Sequence, residues 1–417
     1  MPDDSRLIAV VGAGAAGTMA AIHAAGPGRR VVLLESTRDG GRKILISGGG
    51  RCNILPGALD EGRFVTDSSP NTLKKLLRAW PLAAQRRFFE EQLRIPLALE
   101  AGSGKLFPAS NRARDVRDGL LSAAREAGVE LRFDCAVTMA RALASGGWEI
   151  GVRGQPPISA DALILATGGL SVPTTGSDGL GIRLAASLGH TVNPTYPALT
   201  PLIAEPPVHG DLSGISLHAA LTAGGRRSSK SEGGFLFTHR GYSGPAVLDI
   251  SHVPVRARLE GEPAPVLVRW GNLDAGEWGA ALEARGSGTV LGALRQHLPA
   301  RLAEQLATEA GIDRQQTLAQ LRRDDRQALL RLLTRYELPW TGDEGYRKAE
   351  VTGGGVALDQ VNPRTLESRR CPGLFLCGEL LDAFGPIGGY NFAWAWATGR
   401  AAGIGAGGQG ARGDGGK

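Results

Sequence analysis

The chain has 417 residues, of which 42% are hydrophobic and 21% are charged. This size and composition suffice for two or three globular domains and exclude a small disulfide-stapled module, a disordered chain and a bundle of membrane helices. The 47 Lys and Arg against 41 Asp and Glu give a net charge of +6. Such a mildly basic balance permits contact with nucleic acid, and it equally fits an ordinary enzyme surface.

Glycine and cysteine narrow the class further. The 61 glycines are about twice the usual share of ~7%, which predicts tight turns and close backbone approaches of the kind that nucleotide sites need. The cysteines lack CxxC spacing, so they predict neither a zinc site nor a disulfide framework, and they fit a reducing cytoplasm. They are Cys52, Cys135, Cys371 and Cys377.

The first segment predicts a βαβ unit. An apolar run at 7–11 leads into a glycine turn and helix formers at 15–25, and a second apolar run at 31–34 ends on an acid. In a dinucleotide fingerprint, glycines admit the turn and the pyrophosphate, and the acid binds a ribose diol. An ordinary glycine-rich turn is the alternative. The predicted contacts are Gly12, Gly14, Ala15, Ala16, Gly17, Glu35 and Ser36.

A second glycine cluster favours FAD over NAD. Residues 40–53 read GGRKILISGGGRCN. FAD needs an extended loop along its ribityl chain and isoalloxazine, whereas a nicotinamide dehydrogenase needs no such segment here. Since only one complete fingerprint is present, we expect one tightly and non-covalently bound FAD. The alternative is a flexible surface loop with solvated cations. The predicted contacts are Arg42 and Lys43, offsetting pyrophosphate charge, and Ser47, Gly48, Gly49, Gly50, Arg51 and Asn53.

Two later apolar runs, 162–166 and 374–376, predict further central strands of the same sheet. A glycine turn and a helical run at 390–403 follow the second. Glu379 and Asp382 are expected to bind the cofactor, with capping of a turn and plain solvation as the alternatives. The start of the helix would stabilise the anionic region of reduced flavin. The predicted contacts are Val137, Thr167, Gly168, Gly169, Gly378, Glu379, Asp382, Gly388, Gly389, Tyr390 and Asn391.

The character of the sequence changes between these strands, which predicts an inserted region. We expect a discontinuous FAD-binding domain at 1–189 and 348–404, a β domain at 190–274, a helical subdomain at 275–347 and a disordered glycine-rich tail at 405–417. The fold class is therefore α/β, with a Rossmann domain that carries an insertion.

Several motifs give the chain a resemblance to a known family. VVGAGAAG (10–17), GRKILISGGGRCN (41–53), KLFPAS (105–110), VTGGGV (351–356) and LFLCGELLDAFGPIGGYNFAWAWATG (374–399) resemble the bacterial BaiN/RdsA family of NAD(P)/FAD-dependent oxidoreductases, also called aminoacetone oxidase family FAD-binding enzymes. The resemblance implies a glutathione-reductase-like FAD domain with a β-barrel-like and helical insertion. It also implies NAD(P)H as a transient electron donor, and reduction either of a uridine in 23S ribosomal RNA to dihydrouridine or of a C=C bond in bile-acid intermediates.

Three residues are candidates for the catalytic acid or for hydrogen bonding to the substrate carbonyl. Cys52 lies in the flavin-side loop, where the charge of Arg51 is expected to lower its pKa. His239 and Ser243 lie in the FTHRGYSGPA segment, whose turn would project them toward the flavin. The alternatives are a packing role for Cys52, a backbone hydrogen bond for His239 and capping by Ser243 of a helix that begins at Pro245.

Two basic stretches could hold RNA phosphates, although charged helix faces are usually only solvated. Trp80 would add a stacking surface. The cations are Lys74, Lys75, Arg78, Arg86 and Arg87 in the first stretch, 71–87, and include Arg322 and Arg323 in the second, 295–335. We therefore expect a C=C reductase of an rRNA uridine. A reductase of a small enone or steroid-like metabolite and a flavin-binding assembly factor are the alternatives.

Overall fold

The computed structural model describes residues 5–283 and 288–408. The chain forms two compact units, Met1–Thr195 with Val351–Lys417, and Tyr196–Glu350. The separation of the inserted residues into domains at 190–274 and 275–347 stays a prediction. Within the described ranges, no helix is long and apolar enough to cross a bilayer.

The first unit begins with the predicted strand, glycine turn and helix. Its strands up to residue 198 are β1 Arg6–Val11, β2 Arg29–Leu34, β3 Leu55–Pro56, β4 Leu97–Glu100, β5 Lys105–Pro108, β6 Glu130–Arg132, β7 Val137–Ala142, β8 Trp148–Val152, β9 Ile158–Ala160, β10 Ala162–Leu165 and β11 Val192–Ala198. Its helices here are α1 Ala15–Ala24, α2 Arg42–Ile46, α3 Pro70–Arg78, α4 Leu82–Arg87, α5 Ala113–Glu126 and α6 Leu180–Ser187.

The second unit combines an antiparallel sheet with six helices in its described residues. The strands are β12 Leu202–Ile203, β13 Ser216–Ala223, β14 Ser229–Phe237, β15 Gly241–Ser243, β16 Val266–Trp270, β17 Tyr336–Glu337 and β18 Gly342–Asp343. The helices are α7 Pro245–Ile250, α8 His252–Glu260, α9 Ala275–Ala281, α10 Val290–Arg295, α11 Ala300–Glu309 and α12 Arg323–Thr334.

The chain then returns to the first unit with β19 Val351–Val356, β20 Leu374–Leu376 and α13 Tyr390–Ala406. Because α13 continues to Ala406, the predicted start of a disordered tail at residue 405 is wrong. The rest of that predicted tail, 409–417, lies outside the described residues.

A five-stranded parallel sheet in the order β20-β10-β1-β2-β6 forms the centre of the first unit. Its central strands are almost fully buried apolar runs, as expected when helices cover both faces. This arrangement confirms the predicted Rossmann-type domain. In such a sheet, ligands bind beyond the carboxyl ends of the strands.

Helices α1 and α13 pack with their backbones in contact. A Cβ atom placed on Gly399 or Gly403 would lie 2.3 Å from the carbonyl oxygen of Ala16 or Ala20, respectively. No larger side chain fits at these two positions. The glycines of α13 therefore allow this helix to lie directly against the helix that follows the glycine turn.

The seven-stranded sheet of the second unit, in the order β17-β16-β13-β14-β15-β12-β18, is curled. Six strand spacings would separate the edge strands of a flat sheet by about 29 Å. The two edge strands β17 and β18 are joined by only four residues, 338–341, which span at most about 19 Å. The sheet therefore bends toward closure, in agreement with the predicted β-barrel-like insertion.

Candidate functional site

Four segments of the first unit meet at the carboxyl edge of the parallel sheet. They follow β1, β2, β10 and β20, which are four neighbouring strands in the sheet. The segments contain the glycine turn at 12–17, Glu35, the run 167–169 and the run 378–379. The sheet thus brings together residues that are up to 367 positions apart, and we describe this edge as the candidate site.

The glycine turn leaves room for a phosphate group. Gly12 has φ +102°, and a Cβ there would lie 2.5 Å from the carbonyl oxygen of Ala166. A Cβ on Gly17 would lie 1.8 Å from the carbonyl oxygen of Gly12, whereas a Cβ on Gly14 would meet no atom within 4 Å. No side chain caps α1, which begins with Ala15 and Ala16. An uncapped helix start beside open space fits the pyrophosphate of a dinucleotide.

Glu35 ties the glycine turn to the end of β2. Its buried carboxylate accepts hydrogen bonds from Ala13 N on Oε2 (2.7 Å) and from Thr37 N on Oε1 (2.8 Å). The hydroxyls of Ser36 and Thr37 also donate to Oε1. Oε2 therefore retains acceptor capacity for a ribose hydroxyl. Val137 begins β7 two residues after Cys135, whose N–H donates to the carbonyl oxygen of Glu35. The cofactor contact of Val137 stays a prediction.

The second glycine cluster is not the extended loop that the sequence predicted. Residues 42–46 form the short helix α2, followed by a 3₁₀ turn at Ser47–Gly50. The prediction failed because three consecutive glycines with positive φ reverse the chain at Gly48, Gly49 and Gly50. These glycines are exposed, so their backbone is open to a ligand. The hydroxyl of Ser47 donates to the carbonyl oxygen of Ile44 (2.7 Å).

The two arginines of this cluster are paired with local acids. Arg42 donates to Asp39 (2.7 Å), and its side-chain hydrogen bond holds the pKa of that carboxyl below its usual range. Arg51 donates to Glu100 (2.7 Å) and lies over the ring of Phe107. The pair with Asp39 weakens the case for Arg42 as a counter-charge of a pyrophosphate, and the cofactor contact of Arg51 stays a prediction.

Lys43 lies in a hydrogen-bonded network that the sequence did not predict. Its ammonium donates to Glu379 Oε2 and to the hydroxyl of Ser171, each at 2.6 Å. Ser171 and the N–H of Thr352 both donate to Glu379 Oε1. Thr352 lies in the VTGGGV motif and Ser171 lies two residues after Gly169, but neither residue had a spacing that signalled a role. Lys43 therefore has an anionic protein partner.

The glycines around this network are tightly enclosed. A Cβ on Gly169 would lie 2.4 Å from the hydroxyl of Thr352 and 2.9 Å from Glu379 Oε1. Gly168 and Gly378 have positive φ, and the hydroxyl of Thr167 contacts the carbonyl oxygen of Gly168. The run 167–169 thus packs directly against the carboxylate.

Asp382 is buried, and its Oδ2 atom joins distant segments of the first unit. It accepts hydrogen bonds from Asp67 N (3.0 Å), the hydroxyl of Ser68 (2.8 Å) and the side-chain amide of Asn193 (2.7 Å), as well as from Thr66. Four donors on one oxygen indicate that this atom has a structural role. The predicted cofactor contact of Asp382 stays a prediction.

The start of α13 is held by local polar contacts. Asn391 exchanges hydrogen bonds with the backbone of Gly385. The side-chain oxygen of Asn53 accepts from Gly389 N (2.9 Å) when its amide is turned toward that glycine. Tyr390 contacts the backbone of Ala58 and Asp60 through its hydroxyl. The positive φ angles of Gly388 and Gly389 set the direction from which the helix begins.

The predicted lowering of the Cys52 pKa is wrong. Cys52 is fully buried among apolar side chains that include Ile44 and Trp396. Burial raises the pKa of its thiol to about 12, against a small opposing contribution from a hydrogen bond with Ser47. Arg51, its neighbour in sequence, instead contacts Glu100.

His239 and Ser243 belong to the second unit. His239 is exposed in the turn between β14 and β15, and Ser243 ends β15 opposite Leu236. The residue that caps α7 is Gly244, and no side-chain hydrogen bond caps this helix. The predicted alternative of a capping role for Ser243 is therefore wrong, and the catalytic roles of both residues stay predictions.

The first basic stretch is only partly available to a ligand. Arg78 pairs with Glu61 and Arg86 pairs with Glu90. Within the described ranges, Lys74, Lys75 and Arg87 have no ion pair. Trp80 is 7% exposed and packs against His23 and Phe88, so the predicted stacking role of Trp80 is wrong.

The second basic stretch carries its own acids. Arg322 and Arg323 flank the start of α12, and Asp324 and Asp325 follow in its first turn. No group of three His, Cys, Asp or Glu side chains suited to a metal ion occurs in the residues that the structure describes.

Comparison with known proteins assigns residues 6–405 to one family. Residues 6–405 match the family described as HI0933-like protein Rossmann domain. The chain belongs to this family. It is 33% identical over 400 residues to the ribosomal RNA dihydrouridine synthase of Escherichia coli (strain K12), covering 93% of this chain and 95% of that protein. It is 32% identical over 405 residues to the 3-dehydro-bile acid delta(4,6)-reductase of Clostridium scindens, covering 95% and 98%.

A solved structure has the same fold. The 3-ketosteroid delta1-dehydrogenase from Sterolibacterium denitrificans aligns with a TM-score of 0.52 and 13% identity, over 97% of this chain and 100% of that one. Family and fold confirm the predicted glutathione-reductase-like FAD-binding domain and, at the level of the family, an FAD-dependent oxidoreductase.

Proposed function

We propose that the chain reduces a carbonyl-conjugated C=C bond, and that its substrate is a uridine of 23S ribosomal RNA, which becomes dihydrouridine. One observation carries the proposal. The glycine turn, Glu35 and Glu379 meet at one sheet edge in a chain 33% identical to a ribosomal RNA dihydrouridine synthase over 93% of its length.

The reaction consumes one NAD(P)H and one proton. The double bond gains a hydride at the β-carbon and a proton at the α-carbon, and NAD(P)⁺ leaves. FAD, when bound, supplies the two-electron relay between nicotinamide and substrate. NAD(P)H is proposed to act directly on the flavin domain, because the sequence has only one complete dinucleotide fingerprint.

The residues of the chain bind and orient the groups that react. The turn at Gly12–Gly17 receives the pyrophosphate, and Glu35 accepts a ribose hydroxyl. The start of α13 at Gly389 directs its partial positive charge toward the pyrimidine side of the ring, where negative charge develops on reduction. The exposed turn at Gly48–Gly50 offers main-chain contacts.

We assign proton donation to His239 and a hydrogen bond to the substrate carbonyl to Ser243. His239 is exposed in a turn of the second unit, whereas the thiol of Cys52 is enclosed by apolar side chains. A donor must come within hydrogen-bond reach of the carbon that it protonates. An exposed imidazole meets this requirement more readily than a fully buried thiol.

A small enone or steroid-like metabolite is the second candidate substrate. The bile-acid reductase of Clostridium scindens is nearly as similar to this chain as the rRNA enzyme and covers slightly more of it. The burial of Trp80 and the ion pairs of Arg78 and Arg86 also reduce the surface available to RNA.

The deciding experiment is a mass map of 23S rRNA from cells lacking the gene, compared with cells that express it again. We expect one dihydrouridine to be lost on deletion and restored by the wild-type gene, but not by Gly14→Arg. An unchanged map, together with NAD(P)H-dependent reduction of a 3-keto-4-ene steroid by the purified protein, would establish the metabolite reductase instead.

A further inference from the structure

Lys43 connects α2 with the chain segments that follow two strands of the parallel sheet. It lies on α2, Ser171 lies in the loop after β10, and Glu379 follows β20. The ammonium reaches both partners at 2.6 Å, and Ser171 also donates to the same carboxylate. Thr352 closes the network from β19, since its N–H donates to Glu379 Oε1 (3.0 Å).

The carboxylate of Glu379 is paired with one cation in the described part of the chain. The side chain of Glu379 is 17% exposed and that of Lys43 is 27% exposed. A carboxylate that is largely removed from water needs a counter-charge or several donors. Glu379 has two neutral donors and one cation, and Lys43 is the cation that contacts it in the described part of the chain.

Glu379 retains a place for a ligand. Two donors occupy Oε1, but among the described residues Oε2 accepts only from Lys43. A carboxylate oxygen can accept more than one hydrogen bond. A hydroxyl of a ribityl chain is a donor of suitable chemistry. Its binding would require the carboxylate to be both ionised and fixed in orientation.

We propose that Lys43 is a positioning residue, which holds the carboxylate of Glu379 in the orientation in which Glu379 can bind a ribityl hydroxyl of FAD. This inference rests on the proposed FAD site and replaces the direct pyrophosphate contact expected from the sequence. The two roles differ in one respect. A positioning residue matters only while Glu379 carries its charge, whereas a pyrophosphate ligand acts whatever residue stands at 379.

A double-mutant cycle on FAD affinity separates the two roles. The variants are Lys43→Met, Glu379→Gln and the double variant, and the measurement is the Kd of FAD for the reconstituted protein, followed by flavin fluorescence. Because Lys43→Met leaves a largely buried carboxylate without its counter-charge, we expect it to weaken FAD binding at least about tenfold. In the Glu379→Gln background the same change should cost less than about threefold.

The controls keep the test independent of folding. Arg141→Met removes a cation from a surface pair with Glu149 (2.8 Å) and should leave the Kd unchanged. If Lys43→Met does not fold, Lys43→Gln, which retains a hydrogen-bond donor, enters the same cycle. Equal losses in both backgrounds would overturn the inference and support the pyrophosphate role. A wild-type protein that does not bind FAD would instead overturn the proposed function.

Discussion

The thiol of Cys52 is enclosed by apolar side chains, and burial raises its pKa to about 12. A thiol in this environment stays protonated at neutral pH and is shielded from reagents and substrates. We therefore expect Cys52 to contribute packing beside α2 and α13, which leaves the exposed His239 as the proposed proton donor.

Cys52→Ala tests this assignment. We expect turnover within about threefold of wild type and a loss of about 1–2 kcal/mol of unfolding free energy, because a small buried group is removed. His239→Gln should slow turnover by about 10² or more while FAD stays bound. Steady-state kinetics and thermal unfolding of both variants provide the measurement; a loss of about 10² in Cys52→Ala alone would return the catalytic role to the thiol.

At the scale of elements, the glycine turn before α1 contains one glycine that leaves room for the cofactor and another that the packing of the turn requires. Gly14 has an ordinary φ of −80° and open space around its Cβ position, whereas a Cβ on Gly17 would lie 1.8 Å from a carbonyl oxygen. Both glycines belong to one motif in the sequence, yet the structure gives them different tolerances.

Substitutions at these two glycines should affect different properties of the protein, flavin binding in one case and stability in the other. Gly14→Arg is expected to fold with a melting temperature near that of the wild-type apoprotein, but to be colourless because the side chain fills the space for the pyrophosphate. Gly17→Ala should lose about 3 kcal/mol or more through overpacking. Absorbance at the flavin band and calorimetry check both outcomes, and a yellow Gly14→Arg protein would contradict the assigned site.

The half-buried imidazole of His23, on α1, should make the stability of the protein depend on pH. His23 packs among Trp80 and Phe88, and burial lowers its pKa to about 4. Between pH 6.5 and 4 the unfolded chain takes up a proton at this residue that the folded chain does not. Unfolding free energy should therefore fall as the pH falls, by about 3 kcal/mol in total, since one pKa unit corresponds to about 1.4 kcal/mol.

The variant His23→Phe removes this titration. Denaturant unfolding at pH 7, 5.5 and 4.5 should show a shallower loss of stability on acidification in the variant than in the wild type. Parallel pH profiles for the two proteins would show that His23 contributes nothing to the acid sensitivity.

At the scale of the whole molecule, charge decides between RNA and a small metabolite. Lys74, Lys75 and Arg87 are without ion pairs in the described residues, whereas Arg78 and Arg86 are neutralised by Glu61 and Glu90. Cations that are not paired with acids displace the counterions of RNA phosphates more readily. The first set should therefore contribute more than the second to the salt dependence of RNA binding.

Replacing the three free cations by Ala should flatten the log–log salt slope of rRNA binding by about 2, at about 0.7 to 0.9 per phosphate contact. Replacing Arg78 and Arg86 by Ala is the matched control and should change the slope by less than about 1. Filter binding at several salt concentrations gives the slopes. An affinity that salt does not change would favour the metabolite.

The sequence predicted the parallel sheet and the glycine turn because these depend on local patterns: apolar runs of strand length and glycines within six positions of each other. It did not predict the contacts of Lys43, whose partners lie 128 and 336 positions away. The predictions for the environments of Cys52 and Trp80 were wrong for a related reason. Cys52 stands between Arg51 and Asn53, and Trp80 follows a basic run at 74–78, whereas tertiary packing encloses both side chains.

The first unit can be completed only late in synthesis, because β20 and α13 lie near the end of the chain. Residues 196–350 leave the ribosome before residues 374–406, which supply one strand of the parallel sheet and the helix that packs on α1. The second unit can thus fold cotranslationally while the nucleotide-binding sheet still lacks a strand. The apolar surfaces of β10 and α1 stay uncovered during that interval, so a nascent chain stalled before residue 374 should depend on chaperones for its solubility.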